Sequence, residues 1–152
     1  MLFRSQPARR GRRPGLGGRV AIALPAGADH LVASLAAVLL GAAYAPIDLA
    51  APPARRDAIL DDLRPDCVVG PDSAGVDLSP DAAWRTAARP DLPVPQPDDD
   101  RLINVMYTSG TTGRPKGVGV TEGGVLRLVE EPWFVEIGPG DRVLQQIGRA
   151  HV

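Results

Sequence analysis

Met106-Tyr107-Thr108-Ser109-Gly110-Thr111-Thr112-Gly113-Arg114-Pro115-Lys116-Gly117-Val118 gathers glycines, hydroxyls and a lysine into one short run. Between Tyr107 and Val118 it packs three glycines, four Ser/Thr side chains and the only lysine of the chain. An apolar run, Leu102 to Met106, leads in, and a shorter one, Val118 to Val120, leads out. That order predicts strand, glycine-rich polar turn, strand. Glycines allow the backbone to turn sharply and approach a ligand closely. Successive exposed N–H groups in such a turn make a concave anion site. Hydroxyls of Thr108, Ser109, Thr111 and Thr112 add donors, and Lys116 adds a full positive charge. A polyphosphate suits this chemistry. The stretch is not a Walker A loop, which needs Gly-Lys-Ser/Thr at its end, because Gly117 and Val118 follow Lys116.

The 152 residues suit one small domain. With 44% hydrophobic and 23% charged residues, the composition is that of an ordinary globular protein. A net charge of −1 gives no footing for nucleic acid or an acidic membrane surface. No apolar run approaches the ~20 residues of a membrane span. One cysteine, Cys67, cannot close an internal disulfide, so a reducing, cytoplasmic setting is the default. Sixteen arginines stand against one lysine, as a GC-rich coding bias would give, yet the lysine is kept inside the polar turn. A compact ammonium and a planar guanidinium are not interchangeable there.

Upstream, Arg19 to Pro25 reads as a buried strand, followed by a turn at Gly27-Ala28. Leu31, Leu35, Val38 and Leu39 recur at helical spacing and are expected to face the core. Asp29 is the N-cap candidate, Gly41 the C′ residue, and His30 a partly exposed first-turn residue. Ala43 to Asp48 reads as a second strand, with Pro46 at an edge or strand end. A helix is expected from Pro52-Pro53 to Leu63, with Ile59, Leu60 and Leu63 inward and Asp61 and Asp62 on a solvated face. Cys67 to Gly70 is a third strand, with Cys67 a small buried residue. Strand–helix–strand–helix–strand implies right-handed crossovers and a mainly parallel sheet.

Residues 71–100, rich in proline and aspartate, read as a long surface connection with one helical turn near Ala82–Ala88 and Trp84 as its anchor. Asp98-Asp99-Asp100 is read as a solvated run in preference to a metal site. Beyond the polar turn, a helix is expected over Gly123 to Glu131, with Val125, Leu126 and Val129 inward and Glu122 in its first turn. Gly138-Pro139-Gly140-Asp141 is a turn, and Arg142 to Gln145 starts another strand. The termini have a different character. Residues 1–17 hold five arginines and no acid, and Met-Leu-Phe-Arg-Ser at the start resembles a translated sequencing adapter. Residues 147–152 resemble the opposite adapter. The division expected is therefore 1–17 non-native arm, 18–70 βαβαβ unit, 71–100 connection, 101–146 polar-turn motif with its helix and strand, and 147–152 non-native tail.

Every position from Tyr107 to Val118 fits the phosphate-binding signature of the adenylate-forming enzymes, which this chain resembles. Val38-Leu39-Leu40-Gly41-Ala42-Ala43-Tyr44-Ala45-Pro46-Ile47-Asp48 is similar to a segment of the adenylation domains of nonribosomal peptide synthetases. Pro53-x-x-Arg56, Leu63-x-Pro65, Gly124-Val125-x-Arg127-Leu128-Val129 and Asp141-Arg142-Val143-Leu144-Gln145 look like the same family. Two positions depart from it: Glu122 stands where a histidine is common, and Leu39-Leu40 replaces a Lys-Ala pair.

The resemblance implies a partial Rossmann-like α/β fold and activation of a carboxylate by Mg·ATP. Acyl-adenylate and pyrophosphate form, and the acyl group passes to a phosphopantetheine carrier. It assigns the ATP phosphates to Thr108, Ser109, Gly110, Thr111, Thr112, Gly113, Lys116 and Gly117. Groups for adenine, ribose, Mg2+ and the catalytic lysine would lie beyond Gln145, so no catalytic or metal-binding residue is assigned and the chain alone is expected to be inactive. An acyl-CoA or aryl-acid ligase is the near alternative, and a small non-catalytic nucleotide-binding module the distant one.

Overall fold

The structure, a computed structural model, describes residues 15–71, 79–80, 95–109, 114–130, 134, 136 and 138–142. Within them the chain runs β1 (Arg19–Ile22), α1 (Ala28–Leu39), β2 (Ala43–Pro46), α2 (Pro53–Leu63), β3 (Cys67–Val69), β4 (Leu102–Ser109), β5 (Pro115–Thr121) and α3 (Glu122–Val129). The strands form one sheet in the order β3-β1-β2-β4-β5. β1 pairs in parallel with both β2 and β3, and β2 with β4, while β5 returns antiparallel beside β4. The four parallel strands therefore end on one edge of the sheet, where Ser109 closes β4.

Two clusters of buried side chains sandwich the sheet. Val20, Ile22, Cys67 and Val69 meet Ala33 and Ala37 of α1 on one face. Ala21, Ala43, Ala45, Val68 and Val105 meet Ile59 and Leu63 of α2 on the other. One helix per face is what right-handed crossovers on either side of β1 require. Asp66 ties the entrance of β3 to β1. Its Oδ2 accepts from the Arg19 amide at 2.9 Å, and its own amide donates to the Arg19 carbonyl at 2.8 Å.

Helix ends follow local chemistry. Gly41 takes a left-handed φ of 74°, and the amides of Gly41 and Ala42 donate to the carbonyls of Val38 and Ala37, a Schellman closure of α1. α2 ends with Arg64 in the left-handed region and Pro65 behind it. Pro46 closes β2, at a strand end as expected, although β2 itself lies between two partners.

The face of α1 is a correction. His30, Ala33, Ser34 and Ala37 are its buried residues. Leu31, Leu35 and Leu39 stand 44%, 54% and 49% exposed. Both sets have helical spacing, so periodicity alone could not choose between them. Alanine and serine let the helix approach strands that already carry Val20 and Ile22, and the bulk of this interface comes from the sheet. His30 is accordingly buried, with Nδ1 at 3.4 Å from the Leu24 carbonyl. Gly27, not Asp29, occupies the N-cap, and Asp29 sits in the first turn. α3 also shifts: it spans Glu122–Val129, Thr121 caps it by accepting from the Gly124 amide, and Val129 is exposed although its spacing predicts an inward position. The expected helical turn at 82–88 and Trp84 lie outside the described residues, as do residues 143–145 of the strand expected over Arg142–Gln145, and Arg142 itself is in no strand.

Two substitutions separate the two faces of α1. Ala37→Leu overpacks the contact with the sheet and should cost ~1–3 kcal/mol. Leu35→Gln, on the exposed side, should stay within ~0.5 kcal/mol. Urea midpoints at constant m-value read both; the opposite ranking would restore the leucines to the core.

Candidate functional site

The polar motif spans the tip of a hairpin. β4 and β5 reach further into it than the apolar runs suggest. Tyr107, Thr108 and Ser109 continue β4, and Pro115, Lys116 and Gly117 begin β5. Proline is tolerated as the first residue of an edge strand, because its missing N–H need not serve a ladder there. The register is Ser109 opposite Pro115, Thr108 opposite Lys116 and Tyr107 opposite Gly117. Of the eight residues assigned to phosphate by sequence, Thr108, Ser109, Lys116 and Gly117 are thus ladder residues. Gly110, Thr111, Thr112 and Gly113 lie outside the described residues.

Residues directly opposite in an antiparallel pair share a face, with Cβ atoms about 4.5–5.5 Å apart. Thr108 and Lys116 therefore stand side by side, and both are exposed. Met106 and Val118, the next pair on that face, are exposed as well. Among the described residues no carboxylate pairs with Lys116. The pair offers an anion one hydroxyl and one ammonium. It also lies at the carboxyl end of the parallel strands, the edge at which open α/β sheets bind their ligands.

On the opposite face, Tyr107 turns toward α2. Its hydroxyl donates to Asp62 Oδ2 at 2.7 Å, and its ring packs against the buried cluster under that helix. A Cβ at position 117 would lie 3.2 Å from the Tyr107 ring and 3.2 Å from Val105 Cγ1. Glycine at 117 is what gives the ring its place. Burial holds the Tyr107 hydroxyl well above its ordinary pKa, the hydrogen bond and charge of Asp62 push it further up, and Arg19 opposes weakly. From sequence Asp62 reads as one acid of a solvated face, and it is exposed as expected; what the structure adds is its tyrosine partner. No local signal marks it, because its partner is 45 residues away.

The base of the hairpin has its own staple. Arg101 Nη2 donates to Glu122 Oε2 at 2.6 Å, with side chains only 10% and 19% exposed. The Asp98 amide donates to the same oxygen at 3.1 Å, and the Glu122 amide donates to the Arg101 carbonyl at 2.8 Å. Glu122 follows β5 and so sits about 20 Å of strand away from the Lys116 end of the hairpin. The Asp98 carboxylate accepts from the Asp100 amide at 3.1 Å. Among the described residues no three His, Cys, Asp or Glu gather as metal ligands, and no helix is long and apolar enough to cross a membrane.

A mostly parallel sheet, covered by a helix on each face and carrying a polar hairpin at its ligand-binding edge, marks an α/β protein of the nucleotide-handling kind. A model of the AMP-binding enzyme family matches residues 15–152, and the chain belongs to that family. It is 38% identical over 145 residues to an isonitrile lipopeptide synthase of Streptomyces coeruleorubidus, a match covering 88% of this chain and 10% of that protein. It is 40% identical over 143 residues to pyochelin synthetase PchF of Pseudomonas aeruginosa, covering 86% of this chain and 8% of the relative.

Among solved structures it resembles the o-succinylbenzoate CoA synthetase of Bacillus subtilis in complex with its acyl-adenylate intermediate (TM-score 0.65, 25% identity, 82% of this chain and 35% of that one). It also resembles the N-terminal subdomain of Klebsiella oxytoca NpsA bound to 3-hydroxybenzoyl-AMSN (TM-score 0.60, 25% identity, 75% and 30%). The fold is thus that of the N-terminal domain of adenylating enzymes. The chain spans a tenth or less of the two synthetases and about a third of the two structures.

The raised Tyr107 pKa has a pH consequence. An unfolded tyrosine ionises near pH 10 while folded Tyr107 keeps its proton, so the stabilisation is fully present below about pH 10 and falls as pH rises toward the folded value. Urea unfolding at about pH 8 and about pH 11 should show an alkaline loss that Tyr107→Phe reduces. An unchanged alkaline loss in the variant would contradict a half-buried, Asp62-bonded hydroxyl.

Proposed function

We propose that this chain is the phosphate-binding part of an enzyme that activates a carboxylic acid, most specifically an amino acid, by adenylation. The observation that carries the reading is the pairing of Thr108 with Lys116 at the tip of the β4–β5 hairpin, hydroxyl beside ammonium on one open face. ATP, arriving with Mg2+, supplies the adenylyl group. A carboxylate oxygen of the substrate attacks the α-phosphorus, the bond from that phosphorus to the bridging oxygen breaks, and the electron pair leaves with pyrophosphate. Lys116 neutralises charge on the β- and γ-phosphates as it grows on the leaving group, and the Thr108 hydroxyl donates to a phosphate oxygen. Ser109 and the residues 110–113 complete the clamp, and Gly117 serves it by making room for Tyr107.

The amino-acid reading is supported by the two synthetases, which share 38% and 40% of their aligned residues with this chain. In such a protein the acyl group passes on to a phosphopantetheine thiol of a carrier domain. A second reading, an acyl-CoA or aryl-acid ligase, is favoured by the likeness to a CoA synthetase and to an aryl-adenylate-analogue complex. A single buried cysteine fits a cytoplasmic enzyme. Because the chain spans so little of its relatives, the full reaction is assigned to the longer protein. The 152 residues alone are expected to give no ATP–pyrophosphate exchange.

The longer protein tests the reading. With Lys116→Ala, loss of one charge-assisted hydrogen bond, roughly 1.5–3 kcal/mol, should cut adenylation efficiency on the order of 10- to 100-fold, through the ATP-linked steps. Unchanged ATP dependence with a raised KM for the carboxylic acid would refute the assignment. Exchange across a panel of amino acids, aryl acids and fatty acids separates the two substrate classes.

A further inference from the structure

Thr108 and Lys116 are exposed on one side of the hairpin, and among the described residues no side-chain hydrogen bond or ion pair holds the two strands from that side. What fixes them is on the reverse. There the Tyr107 ring fills the space above Gly117, 3.2 Å from where a Cβ would be, and its hydroxyl reaches 2.7 Å to Asp62 near the end of α2. Tyr107 immediately precedes Thr108, and Gly117 immediately follows Lys116. A rotation or slip of the strand pair that moved one polar side chain would have to break this contact. α2 is itself anchored through Ile59 and Leu63 in the cluster that also holds Val105 of β4.

We propose that Tyr107 and Asp62 are a positioning pair: they lock the hairpin tip onto α2, and so set where Thr108 and Lys116 present their donors to a polyphosphate. Neither side chain faces the ligand. The proposal rests on the phosphate reading of the hairpin and adds to it two residues that act through others. Loss of the hydrogen bond lowers the fraction of molecules with the tip in its binding-competent place, and apparent affinity falls by that fraction. Asp62→Asn keeps an acceptor oxygen and preserves the lock, whereas Asp62→Ala and Tyr107→Phe each remove it.

The probe is inorganic pyrophosphate, titrated into the full 152-residue chain and followed through the backbone amide shifts of Thr108, Lys116 and Gly117. The expected result is a response in the wild type, abolished by Lys116→Ala. It should be weakened about 3- to 10-fold by Tyr107→Phe and by Asp62→Ala, in line with one hydrogen bond, and near wild type in Asp62→Asn. The Tyr107→Phe/Asp62→Ala double variant should be no weaker than either single variant, since both break one contact. A role in stability alone would give no selective loss of pyrophosphate affinity at equal fold content. Lys116→Ala weakening binding while Tyr107→Phe leaves it unchanged would overturn the positioning pair and keep the phosphate reading. No response in the wild type would overturn both. Amide exchange without pyrophosphate tests the lock independently of any ligand. Tyr107→Phe should speed exchange at the hairpin tip and leave Val20–Ile22 alone, and equal rates at the tip would contradict the lock.

Discussion

Antiparallel pairing of β4 with β5 is the constraint on which the site depends. It puts Thr108 beside Lys116 on one face and the Tyr107 ring over Gly117 on the other. The pairing is possible because β4 is held from behind. It lies parallel beside β2 at Tyr44–Asn104, and Val105 is buried under α2 with Ile59 and Leu63. The hairpin is thereby an edge extension of a rigid sheet, and its tip sits at the carboxyl end of four parallel strands. A site on such a scaffold keeps its geometry better than one carried by loops alone.

Magnitudes say what this hairpin does and what it leaves to others. One charge-assisted hydrogen bond contributes roughly 1.5–3 kcal/mol, and a neutral one about 0.5–1.5 kcal/mol. A millimolar complex needs about 4 kcal/mol and a micromolar one about 8 kcal/mol. Thr108 and Lys116 together come to about the lower figure, so these two side chains alone do not account for a micromolar complex. In the proposed reaction their contribution would matter most where charge grows, on the leaving pyrophosphate. A lysine on an exposed edge strand also has a plainer use, in blocking edge-to-edge association. That use requires no partner for Thr108, no glycine at 117 and no tyrosine locked to the helix behind.

Much of this was legible in the sequence, for physical reasons. Strand, helix and strand between Arg19 and Val69 were marked by short apolar runs, by Gly41 at a left-handed helix end and by the proline pair ahead of α2. The polar motif was visible because glycine, hydroxyl and lysine in that density have few structural uses. The face of α1 was not legible, because Ala33 and Ala37 share the helical period of Leu31 and Leu35, and hydrophobicity favoured the wrong set. His30 fell with the same error. The partner of Asp62 was invisible as well: the carboxylate is exposed on a charged helix, as its sequence suggests, and the tyrosine hydroxyl it accepts from lies 45 residues later. Glu122 drew attention as a departure from the family, and it proves to be the acid of a shielded pair with Arg101 at the far end of the hairpin.

Lys116 is the sole lysine of these 152 residues, so acylation located within them reports on that one amine. An ATP analogue bearing an acyl group on its γ-phosphate transfers that acyl group to an adjacent lysine amine, and peptide mass spectrometry locates the product. With the longer protein, labelling is expected at Lys116, suppressed by excess ATP or pyrophosphate and insensitive to the carboxylic substrate. Labelling at Lys116 that excess ATP leaves undiminished, or ATP-protected labelling confined to other lysines of the longer protein, would contradict a polyphosphate at the β4–β5 tip.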